Sequence, residues 1–415
     1  MHEETIEKPK NWYRAIPLFV KILIALVIGA VIGHYFNANP NPDAAIQPGS
    51  FKWISDLVLR MLRLLATPLI FSAVLSSIVS SQITGKKAGR LMGLLMGNTV
   101  IAILIGLLVA NIAQPGKHFE FNKDVAPNKE AYNIWTHLYD SIPADFISPF
   151  VKNDIISIII LAISLGLAMR ICIHSQNETI ARSVQSLTNV MSAIFQLMIT
   201  ILKWVFELVP FAVLAVVINV VGTKGLGVLA TMGYWVVSVV VALALMLGIY
   251  MLRLMLQSRI KPMQFLKGGS DAFAMAFSTA SSAATLPVTY RCATEKLGIK
   301  PDNANMGIMV GGTFNHDGTA LYEAMAALFI AQGVGMHLGF SQQIVIVLMA
   351  IIASVGAAGI PEAGLVTMIA VFNAVGLPIE YIPMLLIVDW FLDRCRTTIN
   401  VIGDLTSTCI LDSKD

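Results

Sequence analysis

Long apolar stretches dominate the chain up to about residue 252. Each is close to the ~20 residues that an α-helix needs to cross the hydrocarbon core of a bilayer. Composition agrees, because hydrophobic residues make up 56% of the 415 residues and charged residues only 13%, too few to cover a water-soluble protein of this size. The sequence therefore predicts an all-α membrane protein, with spans near residues 15–36, 53–80, 91–113, 155–173, 187–221 and 225–252.

The charged residues and cysteines argue against several classes of function. Net charge is only +3 and the 28 Lys and Arg residues are scattered along the chain, so no nucleic-acid partner is expected. The four cysteines lack metal-ligand spacing and are expected to be packing residues. No Ser/His pair, His-x-x-x-His or Cys cluster indicates an enzyme. Within the fifth span, Lys203 and Glu207 are four residues apart and suit an ion pair.

Basic residues also predict the orientation of the spans. Lys and Arg lie before the first span, after the second, around the end of the fourth and after the sixth, which is one side of the membrane if each span crosses once. By the positive-inside rule that side is the cytoplasm. We therefore expect cytoplasmic termini, a first span retained without a cleavable signal peptide, and location in the plasma (inner) membrane.

Two later segments are interrupted by small, hydroxylated and proline residues. Residues 278–287 are rich in Ser and Thr and end at Pro287, and residues 353–364 contain three glycines and Pro361. Such breaks leave backbone groups without helical partners, and hydrocarbon cannot satisfy them. Both segments are interpreted as re-entrant hairpins that form a substrate site in mid-membrane. The alternative is a pair of kinked helices with small residues for close packing.

The first dense polar cluster covers residues 311–319 and is followed by Glu323. Asn315 and Asp317, among hydroxyls and glycines, offer the oxygen ligands that a small cation such as Na⁺ prefers. An intramembrane Asp is costly and indicates function. The alternative is a capped, hydrogen-bonded helix break without an ion.

The second cluster lies in the last span, where Asp389, Asp393, Arg396, Asn400 and Asp404 are separated by 4, 3, 4 and 4 residues. At helical period they share one narrow face. Three carboxylates against one guanidinium leave negative charge for cations to match. Arg396 offers a planar fork for a carboxylate and Asp393 could accept from an ammonium, which together describe an acidic amino acid. An Asp393–Arg396 ion pair without a ligand is the alternative.

With these motifs the sequence resembles the glutamate transporter family, also called the dicarboxylate/amino acid:cation symporters. Residues 281–287 resemble the Ser-rich tip of the family's first hairpin and residues 356–364 the tip of its second. Residues 315–319 resemble its Asn-Met-Asp-Gly-Thr motif, and residues 393–404 its last helix. The resemblance covers the chain from about the first span to Asp412.

The resemblance implies eight transmembrane helices plus two re-entrant hairpins, assembled as a homotrimer and working as an elevator-type transporter. Residues 1–85 and 117–223 would form the static scaffold. Residues 86–116 and 224–415 would form the transport domain, which slides against it. No cofactor is expected beyond the coupling ions.

The resemblance also implies the site residues, carried over by position. The positions that bind an acidic amino acid would be Ser281, Ser282, Thr319, Val355, Gly359, Asp393, Arg396, Thr397 and Asn400. The sodium positions would be Asp404, Gly311, Asn315 and Asn400 for one ion, the backbone near Thr313, Ser354 and Ala357 for a second, and Asp317, Asn315, Asn98 and Thr99 for a third.

Two further positions bear on coupling. A Glu at position 323 and an Arg at position 394 are typical of family members that carry a proton and return with potassium, so Glu323 and Arg394 predict proton cotransport and allow potassium countertransport. His316 replaces the Met of the central motif and puts an imidazole near the ions. A charged imidazole would repel Na⁺, which leaves coupling by protons alone open.

Rival functions remain at this stage. A proton-only symporter of acidic amino acids or C4-dicarboxylates is one alternative, and an anion channel-like member of the family is another. Neutral amino acid transporters of the family lack the Arg at position 396, which argues against that substrate class.

Overall fold

Helices form all the regular secondary structure of the described residues, as the all-α prediction requires. The computed structural model describes residues 16–41, 43–80, 85–119, 139, 142–356, 359 and 363–413. Within these residues we number fifteen α-helices. They are α1 Leu18–Ala38, α2 Lys52–Ser80, α3 Gly85–Ala113, α4 Ser148–Lys152, α5 Ile155–Ile173, α6 Glu178–Phe206, α7 Val209–Lys224, α8 Gly227–Gln257, α9 Pro262–Thr279, α10 Ser282–Arg291, α11 Pro301–Phe314, α12 Asp317–Gly333, α13 Phe340–Gly356, α14 Ala363–Ala374 and α15 Ile382–Asp412.

Six helical runs in the described part of the chain are long and apolar enough to cross a membrane. They are Leu18–Ala38, Pro48–Val79, Lys87–His118, Ile156–Ile173, Glu178–Phe206 and Gly227–Gln257. Each corresponds to one of the six predicted spans. The chain is therefore a multi-pass membrane protein, as predicted, while the total of eight spans stays a prediction.

The fifth predicted span, 187–221, is wrong as a single helix. It comprises α6, which begins nine residues earlier, and α7, with a break at Glu207 and Leu208. Pro210 stands in the first turn of α7, where its missing N–H costs no hydrogen bond, whereas inside a continuous helix it would remove one. Glu207 at the break binds Lys21 of α1, Nζ to Oε2 at 2.9 Å, and not Lys203 as the sequence spacing suggested.

The helices pack as two groups. In one, α1 lies along α7, and α2 packs on α5 and α6. The close approach of α1 and α7 needs glycine, because a Cβ at Gly33 would lie 2.8 Å from Cβ of Val221. In the other group α8, α9, α11 and α12 surround α15, and α3 packs on α12. This second group contains the buried carboxylates of the described residues and Arg396.

Each interrupted segment lies between two helices that pack against each other, and the re-entrant form of both hairpins stays a prediction. In the first, α9 is followed by Ala280, which has a left-handed φ of 52°, and Ser281 caps α10, its hydroxyl accepting from the amide of Ala284 at 3.2 Å. In the second, α13 and α14 pack against each other, and Gly359 between them has a φ of 60°. The breaks lie where the Ser/Thr-rich and Gly-rich runs predicted them.

Candidate functional site

The ionic stripe of α15 lies entirely inside the protein, as its flanking apolar residues predicted. Asp389, Asp393, Arg396, Asn400 and Asp404 are each at most 6% exposed. Because isolated charges are costly away from water, each of the four ionisable side chains needs a partner nearby. The stripe faces the break between α11 and α12, where the first polar cluster lies.

Arg396 is fully buried among the polar side chains of α12 and α15. Its Nη2 lies 3.0 Å from Oδ1 of Asp389 and 2.7 Å from Oδ1 of Asp393. The guanidinium carbon lies 4.0 Å from the ring centroid of Tyr322, a cation–π distance. Its Nε and Nη1 have no hydrogen-bond partner among the described residues. Two buried donor nitrogens are therefore available to an anionic ligand, and leaving such a donor unmatched costs about 1–3 kcal/mol.

Backbone and side chains of α12 bring the substrate positions beside Arg396. Asn400 accepts from the amide of Gly318 at 2.8 Å through Oδ1, and its Nδ2 donates to Oγ1 of Thr319 at 3.4 Å. Gly318 must be glycine here, because a Cβ would lie 2.6 Å from the carbonyl oxygen of Arg396. Thr397 is buried on α15.

The two hairpins contact each other at Ser281 and Gly359. The Ser281 hydroxyl donates to the carbonyl of Gly359 at 2.9 Å, and the amide of Ala283 donates to the same oxygen at 3.1 Å. Ser282 is 3% exposed. Val355 lies in the last turn of α13. The structure thus joins the predicted substrate positions Ser281 and Gly359, and for Val355 it gives only the place in α13.

A first group of oxygen atoms surrounds Asp404. Nδ2 of Asn315 donates to Oδ1 of Asp404 at 2.9 Å, and the backbone of Gly311 lies directly against that carboxylate. Oδ1 of Asn315 is buried and meets no hydrogen-bond donor among the described residues. A carboxylate, an amide oxygen and a helix-end backbone are ligands that suit Na⁺.

A second group surrounds Asp317, the first residue of α12. Thr99 of α3 donates to its Oδ1 at 2.6 Å, and the phenol of Tyr250 donates to its Oδ2. Beside it, Nδ2 of Asn98 donates to Oγ of Ser407 at 3.0 Å, while Oδ1 of Asn98 is buried without a donor in the described structure. Thr99 and Asp317 are therefore in contact, whereas Asn98 contacts Ser407, and the third sodium position stays a prediction.

The residues of the second sodium position are engaged in local hydrogen bonds. Thr313 donates to the carbonyl of Met309 at 2.9 Å, and the Ser354 hydroxyl donates to that of Ile351 at 2.7 Å. His316 lies 2.8 Å from the carbonyl oxygen of Ser354 through Nδ1. Ala357 lies outside the described residues.

The two coupling positions lie in different surroundings. Glu323 on α12 is fully buried, accepts from Oγ1 of Thr367 on α14 at 2.5 Å, and has no described hydrogen-bond partner at Oε2. Arg394 donates instead to the carbonyls of Phe277 and Ser278 at the end of α9, at 2.8 and 2.5 Å. It thereby satisfies carbonyls that a helix end leaves open.

Sequence reasoning missed several contacts of these groups. Tyr250 and Ser407 were not singled out, because an aromatic or a serine in an apolar helix is usually a packing residue. Tyr322 was missed for the same reason. Asp389 was seen in the stripe but not as a partner of Arg396. The spacing of seven residues, two helical turns, was the only available signal.

Comparison with known proteins gives a family match over nearly the whole chain. The family model described as "Sodium:dicarboxylate symporter family" matches residues 18–414. Excitatory amino acid transporter 4 of Mus musculus is 30% identical over 98% of this chain and 85% of its own length. An excitatory amino acid transporter of Onchocerca volvulus is 29% identical over 95% of this chain and 89% of its own length.

A shorter, stronger match covers about half of the chain. Excitatory amino acid transporter 2 of Homo sapiens is 43% identical over 219 residues, which are 52% of this chain. That alignment spans only 38% of the length of the human protein.

Proposed function

The chain belongs to the sodium:dicarboxylate symporter family, a family of transporters and not of enzymes, and from that premise we propose that it is a secondary active symporter of acidic amino acids. Its substrates would be L-glutamate and L-aspartate, and Na⁺ would drive their uptake. The relatives that match over most of the chain are excitatory amino acid transporters, which supports this assignment.

The observation that carries the proposal is the buried guanidinium of Arg396, whose Nε and Nη1 have no described hydrogen-bond partner. A side-chain carboxylate of the substrate would accept a charge-assisted hydrogen bond from Nη1. The substrate ammonium would then approach Asp393, one helical turn away on the same face. Asn400 and Thr319 beside them, with the Ser281–Gly359 contact above, would hold the amino acid backbone.

Charge balance supports cation coupling. Around Arg396, the side chains of Glu323, Asp317, Asp389, Asp393 and Asp404 are at most 6% exposed. The basic groups near them in the described structure are the buried Arg396 and the partly exposed Arg253, which lies near Asp317. An acidic substrate adds further negative charge. Cations must therefore accompany it, since uncompensated buried charges are costly. Sodium would bind near Asp404 and Asp317, where the bare amide oxygens of Asn315 and Asn98 lie.

Glu323 is proposed as the proton carrier. On the return step, potassium would occupy the buried polar site around Arg396. Burial disfavours the charged carboxylate, and its one described partner, Thr367, is a hydroxyl and not a cation. Arg394 would act indirectly, by holding the end of α9 in the first hairpin.

The two packed groups of helices support an elevator mechanism. Residues 1–85 and 117–223 are proposed as the scaffold, and residues 86–116 and 224–415 as the moving body. Helix α6 presents an apolar stripe, with Leu187, Val190, Leu197 and Trp204 between 46% and 66% exposed. We propose that scaffold surfaces of this kind join three copies into a homotrimer in the plasma (inner) membrane, with cytoplasmic termini.

The test is uptake of radiolabelled aspartate and glutamate into proteoliposomes while Na⁺, H⁺ and K⁺ gradients are imposed one at a time. We expect accumulation above the external concentration with an inward Na⁺ gradient, increased by internal K⁺ and external acid. Equilibration without accumulation would indicate a channel, because a channel cannot concentrate its solute. Uptake driven by protons alone, or preferring succinate, would support the alternative symporters instead.

A further inference from the structure

His316 joins two elements that are distant in sequence. It is the residue at the break between α11 and α12, and its ring is 2% exposed. Nδ1 lies 2.8 Å from the carbonyl oxygen of Ser354 on α13. A carbonyl oxygen can only accept, so the ring nitrogen donates. The other ring nitrogen, Nε2, has no hydrogen-bond partner among the described residues.

The carbonyl that His316 binds belongs to an open helix end. Ser354 lies in the last turn of α13, which ends at Gly356, and the last four carbonyls of a helix have no partner within it. Such an end carries partial negative charge and attracts a cation or a donor. In this chain an uncharged N–H group already fills that role at Ser354. A side chain without an N–H donor would leave the oxygen open.

We propose that His316 is a positioning residue that holds the inner arm of the second hairpin, α13, against the α11–α12 break without the help of a cation. The inference rests on the proposed function and narrows its ion coupling. Closure of this arm would need no sodium at the Ser354 carbonyl. With a thioether at position 316, the Ser354 carbonyl would be available to bind sodium. Closure of α13 would then depend on one additional sodium ion.

Hydrogen–deuterium exchange of residues 343–356 tests the first part without any substrate. In choline chloride we expect slow exchange in the unmodified protein, with less than about a twofold further slowing when NaCl replaces choline. His316→Met should exchange about tenfold faster in choline, and NaCl should restore protection. His316→Asn keeps an N–H one bond from Cγ, as Nδ1 is, and should behave as the unmodified protein does.

A matched control is available in the first group of helices. His174 also bonds a backbone carbonyl through Nδ1, that of Arg170 at 2.9 Å, but it lies at the end of α5. His174→Met should leave exchange of 343–356 unchanged. If His316→Met did not fold, the sodium response of the unmodified protein and the behaviour of His316→Asn would still decide the matter.

Sodium dependence of uptake provides the second readout. His316→Met should raise the Hill coefficient for Na⁺ by about one relative to the unmodified protein and to His316→Asn. The inference is overturned if the unmodified protein needs sodium to protect residues 343–356, or if His316→Asn and His316→Met behave alike in exchange. Failure of acidic amino acid uptake with protected exchange would instead refute the proposed function and leave the hairpin contact standing.

Discussion

The guanidinium of Arg396 lies 3.0 Å from the carboxylate of Asp389, two helical turns earlier on α15. With Asp393 at 2.7 Å, this gives one buried cation two carboxylate partners on the same Nη2 atom. Nε and Nη1 have no partner among the described residues and remain available to a ligand. The two carboxylates thus hold the arginine in place through one nitrogen while its other nitrogens can still donate.

Arg396→Cys should abolish uptake of acidic amino acids. The variant loses the guanidinium that pairs with the substrate carboxylate, an interaction of about 2–5 kcal/mol when buried, so kcat/KM for aspartate should fall at least about thirtyfold. Serine or alanine uptake should be less affected. Arg182→Cys, at an exposed ion pair with Glu178 on α6, is the matched control. Undiminished aspartate transport by Arg396→Cys would refute the substrate assignment.

Glu323→Gln should remove the dependence of uptake on pH and on internal potassium while sodium dependence remains. Glutamine keeps the size of the side chain and a partner for Thr367, but it carries no titrating proton. Uptake into proteoliposomes at pH 6 and pH 8, with and without internal K⁺, measures both effects. Glu295→Gln, at an exposed glutamate in the turn after α10, serves as control. Unchanged pH and potassium dependence would mean that another group carries the proton.

Tyr250→Phe should strengthen sodium binding near Asp317. The change removes the hydroxyl that donates to Oδ2 and leaves that oxygen buried without its described donor, a cost of about 1–3 kcal/mol in the sodium-free state that a bound cation relieves. We expect the Na⁺ concentration for half-maximal aspartate binding to shift by at least about fivefold. Tyr234 lies on the same helix as Tyr250, α8, and its hydroxyl donates to the carbonyl of Ala113 on α3 at 3.0 Å. Tyr234→Phe should leave the sodium-binding curve unchanged. Equal shifts in both variants would contradict a role for Tyr250 at the ion site.

Gly359→Ala should open the contact between the hairpin tips. A Cβ there would lie 2.8 Å from Oγ of Ser282, and the backbone has a φ of 60°. Gly335→Ala separates the two effects, because Gly335 has a φ of 75° with no atom within 4 Å of the added carbon. Both variants should lose about 1–2 kcal/mol of stability from left-handed backbone strain. Only Gly359→Ala should slow aspartate uptake, by about tenfold, and equal rates in the two would show that the tip contact is dispensable.

The helical spacing of the site residues could be predicted from the sequence. Contacts between residues that are distant in the sequence could not. The stripe on α15 follows from helical spacing alone, and all five of its residues are buried as expected. The break before α7 was missed because a single Pro210 stands in an otherwise apolar run. The Lys21–Glu207 pair joins residues 186 apart, so no local spacing predicts it. Tyr250 looked like packing because only the fold brings it to Asp317.

Both described bonds between the hairpin tips end on one oxygen, the carbonyl of Gly359, and they use its two lone pairs. A thermal fluctuation that moves this oxygen away therefore breaks both hydrogen bonds at once. Two such hydrogen bonds contribute about 1–3 kcal/mol net. The two tips would therefore be separated in roughly 1–15% of the molecules without bound ligand. In the proposed transporter, that population would let a solute enter between the tips without any outside energy.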